Sequence, residues 1–233
     1  MESVTASGLY KDYQVGRLTV NALKNLSFSI SSGAFVSFVG PSGSGKTTLL
    51  NLIGCLDKPT QGSLSVAGID ATSLDRKKSA LFRGENLGFI FQDFNLLPVL
   101  TVFENVEYPL LMVRKTPSAE RRRRVLQLLE EVGMIDQKDK FPDQLSGGQK
   151  QRVAVARSLI TNPKIVLADE PTANLDHKTA YVIINLLKRM RDELNTTFIF
   201  STHDPKIVGE AETIYTLEDG ELNGRQERSE KRA

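Results

Sequence analysis

The chain has 233 residues, 40% hydrophobic and 25% charged, with 30 Lys and Arg against 28 Asp and Glu. This composition belongs to an ordinary globular protein with a sizeable core, and it excludes a solenoid, a disulfide-stapled mini-protein and a collagen. The near-balance of charge gives no reason to expect nucleic acid as the main partner.

Residues 1–8 carry neither a basic flank nor an apolar run, and no stretch approaches the roughly 18 to 20 consecutive apolar residues of a membrane span. The chain is therefore expected in the compartment where it is made. The alternation of Ala22, Leu23, Leu26, Phe28 and Ile30 predicts antiparallel strands near the start. Four short runs, Phe35–Gly40, Leu87–Gln92, Ile165–Glu170 and Phe198–His203, are almost continuously apolar and end in polar or glycine residues. Strands buried on both faces read this way, and helical patterns lie between them, so a largely parallel α/β sheet is predicted with its chemistry at the carboxyl ends of the strands. The single cysteine, Cys55, sits in the apolar run Leu49–Leu56 and reads as a small buried core residue.

From about Thr101 to Gln144 there are helix signals and no convincing strand, which predicts an inserted helical subdomain. Within it Val125, Leu128, Leu129 and Val132 repeat at helical spacing after Ser118 as a cap and before Gly133 as a stop. Arg121–Arg124 stands at the start of that helix, an unfavourable end for positive charge, and is read as a solvated face. Lys150–Ile160 predicts another helix. Ile183, Leu186, Leu187, Met190 and Leu194 predict a third with one buried face. Ile214–Leu222 predicts added antiparallel strands, and the charged stretch 224–233 a disordered tail.

The first candidate site is Gly40-Pro41-Ser42-Gly43-Ser44-Gly45-Lys46-Thr47, followed by Thr48, between a buried strand and a helix. Glycines let such a loop curl so that backbone N–H groups converge. The helix start favours negative charge, and Lys46 reaches the outer phosphates of a nucleotide. Thr47 offers a hydroxyl to Mg²⁺. A P-loop of this kind needs an acidic partner at the end of a neighbouring strand, which Asp169-Glu170 supplies: Asp169 for the metal, and Glu170 to polarise a water against the γ-phosphate. An acidic pair at a strand end is by itself more often a cap or a turn; beside a P-loop the catalytic reading is preferred.

Leu145-Ser146-Gly147-Gly148-Gln149 leads straight into a predicted helix, so a serine hydroxyl, two permissive glycines and a helix start make a second phosphate cradle. The plain alternative is a serine-capped loop. The chain thus has two cradles and one P-loop.

Tyr13, the P-loop, Gln92, the LSGGQ run, Asp169-Glu170, Asn174-Leu175-Asp176 and His203 occur in an order and spacing that resemble an ABC transporter nucleotide-binding subunit over nearly the whole chain. The resemblance implies a P-loop NTPase core of mostly parallel sheet, an N-terminal antiparallel β subdomain and an inserted helical subdomain at about 101–161, all within one domain of residues 1–223. It implies ATP and Mg²⁺ as cofactors, with Tyr13 stacking on adenine (Tyr10 being a neighbouring alternative). Gln92 would sense the metal and the attacking water while its loop touches a membrane partner. His203 would contact the γ-phosphate, and Asp176 would communicate across a subunit interface, with helix capping as a compatible role. Ser146, Gly147, Gly148 and Gln149 would close over the nucleotide held by a second copy, giving a homodimer around two ATP. A separate permease would hold the subunit at the cytoplasmic face of the inner membrane.

Gly54–Gly62, Phe91–Pro98, Glu104-Asn105-Val106 and Pro109-Leu110 are similar to the macrolide-export and lipoprotein-releasing branch, though importers share part of the pattern. Ala173-Asn174 departs from commoner variants before Leu175-Asp176 and bears on interface coupling, not on ATP binding. A P-loop kinase or GTPase would leave LSGGQ and His203 unused. A DNA-acting ABC ATPase needs a long coiled coil between the halves of its cassette, and the interval from Gln92 to Ser146 is too short for one. A cassette that binds without turnover is disfavoured by Glu170.

Overall fold

A computed structural model describes residues 1–113 and 116–228. Two sheets share one core. The first is antiparallel, order β2-β1-β4-β5, formed by β1 (Glu2–Val15), β2 (Leu18–Ser31), β4 (Gln61–Val66) and β5 (Ile69–Asp70). The second runs β10-β9-β3-β8-β7-β6 and contains β3 (Phe35–Val39), β6 (Leu87–Ile90), β7 (Ile165–Asp169), β8 (Thr197–Ser201), β9 (Thr213–Glu218) and β10 (Glu221–Glu227). The four apolar runs form four consecutive parallel strands, β3, β8, β7 and β6, with β6 at the edge, each residue buried or nearly so as a double-faced strand demands.

Helix α1 (Lys46–Ile53) lies between the sheets, where Leu49, Leu52 and Ile53 are buried with Leu26, Phe28 and Phe38. The Phe28 ring meets Phe38 edge-on at 5.4 Å, which helps lock one sheet on the other. On the opposite face of the parallel sheet pack α3 (Val102–Val113), α4 (Ser118–Glu131), α5 (Gly147–Leu159) and α6 (His177–Leu194). Among the described residues 101–161 hold helices and no strand. Two further helices, α2 (Arg76–Asn86) and α7 (Pro205–Glu210), complete the order.

Several sequence expectations change. β9 and β10 form the antiparallel pair expected at Ile214–Leu222, and β9 in addition pairs parallel with β3, which joins the hairpin to the main sheet. Residues 224–227 belong to β10, in register with Thr216 to Thr213, because pairing with a buried strand orders a polar segment that could not bury itself; residues 229–233 lie outside the described residues. Pro117, not Ser118, precedes α4 as its cap, without a side-chain bond. Gly133 does end α4: its N–H bonds to Glu130 O and that of Met134 to Leu129 O, at a φ of +69°. Leu194 is exposed, whereas Ile183, Leu186, Leu187 and Met190 are buried as predicted. The basic run is more engaged than a solvated face. Arg121 bonds Glu107 at 2.9 Å, Arg124 bonds Glu120 at 2.5 Å, and Arg122 lies over the Phe103 ring. Cys55 is buried, and burial pushes its thiol up to about 11. No helix among the described residues is long and apolar enough to cross a membrane.

Candidate nucleotide site

The carboxyl ends of β3, β6, β7 and β8 open onto one cavity of about 910 Å³. Gly40–Gly43, Gly45–Thr48, Gln92, Asp169, Glu170 and His203 line it together. Ser44 packs beneath, buried, its N–H bonded to Pro41 O. Parallel strands deliver these side chains to the same rim because their carboxyl ends all face one way.

Gly45 caps α1 at a φ of +103°, and a Cβ there would lie 2.6 Å from Ala22 O, so only glycine fits. It offers no side-chain acceptor to the first turn of the helix, which leaves those N–H groups for an anion. The Lys46 ammonium is folded into the loop, donating to Gly40 O at 2.8 Å and Pro41 O at 2.9 Å. The Thr47 hydroxyl donates to Asp169 Oδ2 at 3.1 Å. A hydroxyl and a carboxylate are hard oxygen donors suited to Mg²⁺, and among the described residues no cluster of three or more His, Cys, Asp or Glu side chains makes an all-protein cage for a metal.

Glu170 follows β7 at a φ of +45°, an uncommon conformation for a side chain this long. It is held there by its N–H to Ser201 O at 2.9 Å, by the Thr202 hydroxyl on Oε2 at 2.8 Å, and by His203 Nδ1 at 2.6 Å from Oε1. The carboxylate is mostly covered while the His203 ring is largely exposed. The expected acid–base residue and the expected γ-phosphate sensor are thus already hydrogen-bonded to each other.

Not every predicted residue reaches the cavity. Among the described residues, none between Gln92 and Asp169 lines it, so Ser146, Gly147, Gly148 and Gln149 stand apart. Ser146 caps α5: its Oγ accepts the Gln149 N–H at 3.3 Å, and Gln149 Oε1 accepts the Ser146 N–H at 2.9 Å. The two glycines are not needed for unusual φ, since both are helical. Gly148 is required by close approach, because a Cβ would lie 2.4 Å from Thr179 Cγ2 on α6. Asp176 caps α6, accepting from the N–H groups of Lys178 and Thr179 and from the Thr179 hydroxyl, and these bonds hold its carboxyl below the usual range. Tyr13 is outside the cavity lining, with its hydroxyl on Asp57 and Lys11 over its ring.

Sequence reasoning missed Val20, Asn21, Ala22 and Lys24 of β2 and the Asp219-Gly220 turn, which form the opposite wall. They are brought there by tertiary pairing: Lys24 N–H bonds Gly220 O at 2.7 Å, and Gly220 N–H bonds Ser44 O at 3.1 Å. The alternation of β2 signals a strand but not that its polar phase faces a site.

The loop after Gln92 is tied on two sides. Asn174 donates to Gln92 O at 3.0 Å, and Arg157 of α5 donates to Phe94 O at 2.8 Å and Asn95 O at 2.5 Å. Beside it lies a second cavity of about 330 Å³, whose lining includes Phe89, Phe91, Pro109, Val113 and Arg157.

The sequence profile of the ABC transporter family matches residues 23–173. This chain belongs to the ABC transporter ATP-binding family. It is 46% identical over 227 residues to an uncharacterised ABC transporter ATP-binding protein of Methanocaldococcus jannaschii, MJ0796, covering 95% of this chain and 94% of that one. The solved dimeric structure of the MJ0796 cassette bound to ADP and Pi superposes with a TM-score of 0.90 at 43% identity, covering 97% of this chain and 100% of that chain. The lipoprotein-releasing system ATP-binding protein LolD of Bordetella pertussis is 42% identical over 220 residues, 94% of this chain and 95% of LolD. The macrolide export ATP-binding/permease protein MacB of Rhodopirellula baltica is 44% identical over 218 residues, 91% of this chain but 31% of MacB. The α/β architecture is that of an ABC cassette, and the chain is an ABC transporter ATPase subunit.

Proposed function

We propose that two copies of this chain close on two Mg·ATP and drive a separate membrane permease of the macrolide-export or lipoprotein-release type. One observation carries this reading. The cavity gathers the P-loop, Gln92, Asp169, Glu170 and His203 but excludes Ser146–Gln149, so a second copy is needed to bring the other cradle to the nucleotide. That the MJ0796 cassette is dimeric, in one structure with ADP and Pi bound, supports an assembly of two copies.

Lys46 and the first turn of α1 bind the outer phosphates. Thr47 and Asp169, with Gln92, would hold Mg²⁺, which when bound neutralises phosphate charge. Glu170 takes a proton from the attacking water, and His203 holds that carboxylate in place and stands at the rim for the γ-phosphate. Tyr13 would stack on adenine, and Asp176 would set the loop that meets the partner. Moving the open–closed equilibrium from 1:99 to 99:1 takes about 5.5 kcal/mol. Charge-assisted hydrogen bonds of about 1.5–3 kcal/mol each, made by the γ-phosphate across the joint, supply it in a few contacts, and their loss on hydrolysis reopens the pair.

The branch and the permease rest on the face beside Gln92. Asn105, fully buried, bonds the Leu97 N–H and the carbonyls of Leu97, Leu100 and Thr101, so the loop is held with Val99 outward. Val99, Leu111 and Met112 are exposed, and Pro109 and Val113 of α3 line the second cavity, so this side offers apolar surface suited to a helix of the permease at the cytoplasmic side of the inner membrane. Likeness to LolD and to the ATP-binding part of MacB favours that branch. A DNA-acting role finds no support, because α3 and α4 are 12 and 14 residues long, not a coiled coil.

Glu170→Gln tests the core of the reading. It keeps the shape and one acceptor oxygen, puts an NH2 donor in place of the other oxygen and removes the base, so turnover is expected to fall by about 10² to 10⁴ while ATP still binds. Light scattering after size exclusion should then give a dimer with Mg·ATP and a monomer without it; monomers in both conditions would rule out the closed-dimer scheme.

A further inference from the structure

We propose that Asp57 is a positioning residue for the nucleobase, fixing with Lys11 the plane of the Tyr13 ring at the mouth of the nucleotide cavity. This rests on the reading that Tyr13 stacks on the base. In the β1–β2 register Tyr13 lies opposite Val20, and directly opposed residues project from the same face of the pair. Val20 lines the cavity, so Tyr13 flanks its mouth.

An aromatic side chain on the arm of a hairpin has rotational freedom that a stacking platform must give up on binding. Here that freedom is already removed. The phenol donates to Asp57 Oδ2 at 2.8 Å. The other oxygen of the same carboxylate accepts from Lys11 Nζ at 2.8 Å and from the Lys58 N–H at 2.7 Å. Lys11 also donates to Lys58 O at 2.8 Å, and its ammonium stands 4.7 Å from the Tyr13 centroid. One face of the ring is thereby occupied by a cation whose side chain is only 11% exposed, which leaves the other face for a base. Burial alone would push the Asp57 carboxyl up, but the bonds from Lys11, Tyr13 and Lys58 outweigh it and hold the group ionised at neutral pH.

Asp57 is well placed for this task because it lies in the turn just after α1, three residues beyond the C-cap Gly54. The N–H groups of Leu56 and Asp57 bond Asn51 O, at 2.9 and 3.3 Å. The ring is therefore referenced to the helix that begins with Lys46 and Thr47, and one rigid element sets the span between base and phosphates.

Isothermal titration of the full chain with Mg·ATP tests this. Asp57→Ala and Tyr13→Phe should each raise Kd about two- to ten-fold, the worth of one hydrogen bond. Asp57→Asn, which keeps an oxygen for the phenol, should restore part of the loss. Tyr13→Ala should weaken binding further, and adding Asp57→Ala to it should change nothing more. If Tyr13→Ala leaves Kd unchanged, the stacking reading falls and this proposal with it. If Tyr13→Ala weakens binding but Asp57→Ala and Tyr13→Phe do not, only the positioning role falls. A loss from Asp57→Ala that persists on the Tyr13→Ala background would place Asp57 in the support of α1, which also overturns the proposal.

Discussion

The two helix starts that carry the family motifs differ in how they treat their unpaired N–H groups. At α1 the preceding residue is a left-handed glycine with no side chain to offer, and the loop wraps back so that Lys46 rests on its own carbonyls. At α5, Ser146 and Gln149 satisfy each other in a reciprocal cap. The first is an anion receptor complete within one chain. The second is at rest, its serine accepting one bond at 3.3 Å while retaining a hydroxyl proton to donate. On the proposed closed dimer, this difference would let nucleotide binding precede closure: the uncapped start would attract the phosphates, and the capped one would be recruited only when a partner presents them.

The comparison can be broken most forcefully at Lys46. Lys46→Ala removes a charge-assisted contact of about 1.5–3 kcal/mol, so ATP affinity measured by titration should fall by about ten- to a hundred-fold. Next is Gly148→Ala. The new methyl would strike Thr179 Cγ2, whose hydroxyl is engaged by the Asp176 cap, and denaturant unfolding should show a loss of about 1–3 kcal/mol. Adding Thr179→Ser, which deletes Cγ2, should recover most of it. Ser146→Ala should cost about 1 kcal/mol of stability as a lost cap. It should leave monomer ATP affinity unchanged yet abolish the ATP-dependent dimer of the Glu170→Gln protein in light scattering. An unaltered dimer would mean that the capped start never meets a nucleotide.

The smallest effect concerns the far end of α1. Burial raises the Cys55 thiol to about 11, so the unfolded chain ionises first as pH rises. The stability of the wild type relative to Cys55→Ala should be constant below pH 9 and decline from there toward pH 11.

The central strands were legible because a strand buried on both faces must be apolar at every position, a pattern that needs no knowledge of its neighbours. The P-loop, Asp169, Glu170, Gln92 and His203 could be placed in one site because each ends such a strand. β1, β4 and the end of β10 were not legible: they mix polar and apolar residues, and their order comes from pairing partners distant in sequence. Helix α2 was missed because Phe82 is the only large apolar side chain it buries. The wall from β2 and the Asp219-Gly220 turn escaped for the same reason as β10, since only contacts between remote segments bring it to the cavity. The two glycines after Ser146 were read as conformationally permissive, yet both are helical, and at Gly148 it is the close approach of Thr179 that leaves no room for a side chain; chain reversal and close helix approach leave the same mark on a sequence.

Arg157 gives the helix behind the signature a second attachment. Its guanidinium grips the backbone that follows Gln92, while the other end of the same 13-residue helix begins at Gly147. A push delivered to that loop from outside acts on a stiff strut about 20 Å long, at the rise of 1.5 Å per residue. A helix this short bends little, so on the proposed assembly pressure from the permease at one end would tip the end that meets the neighbouring copy, and the traffic would run equally well in reverse.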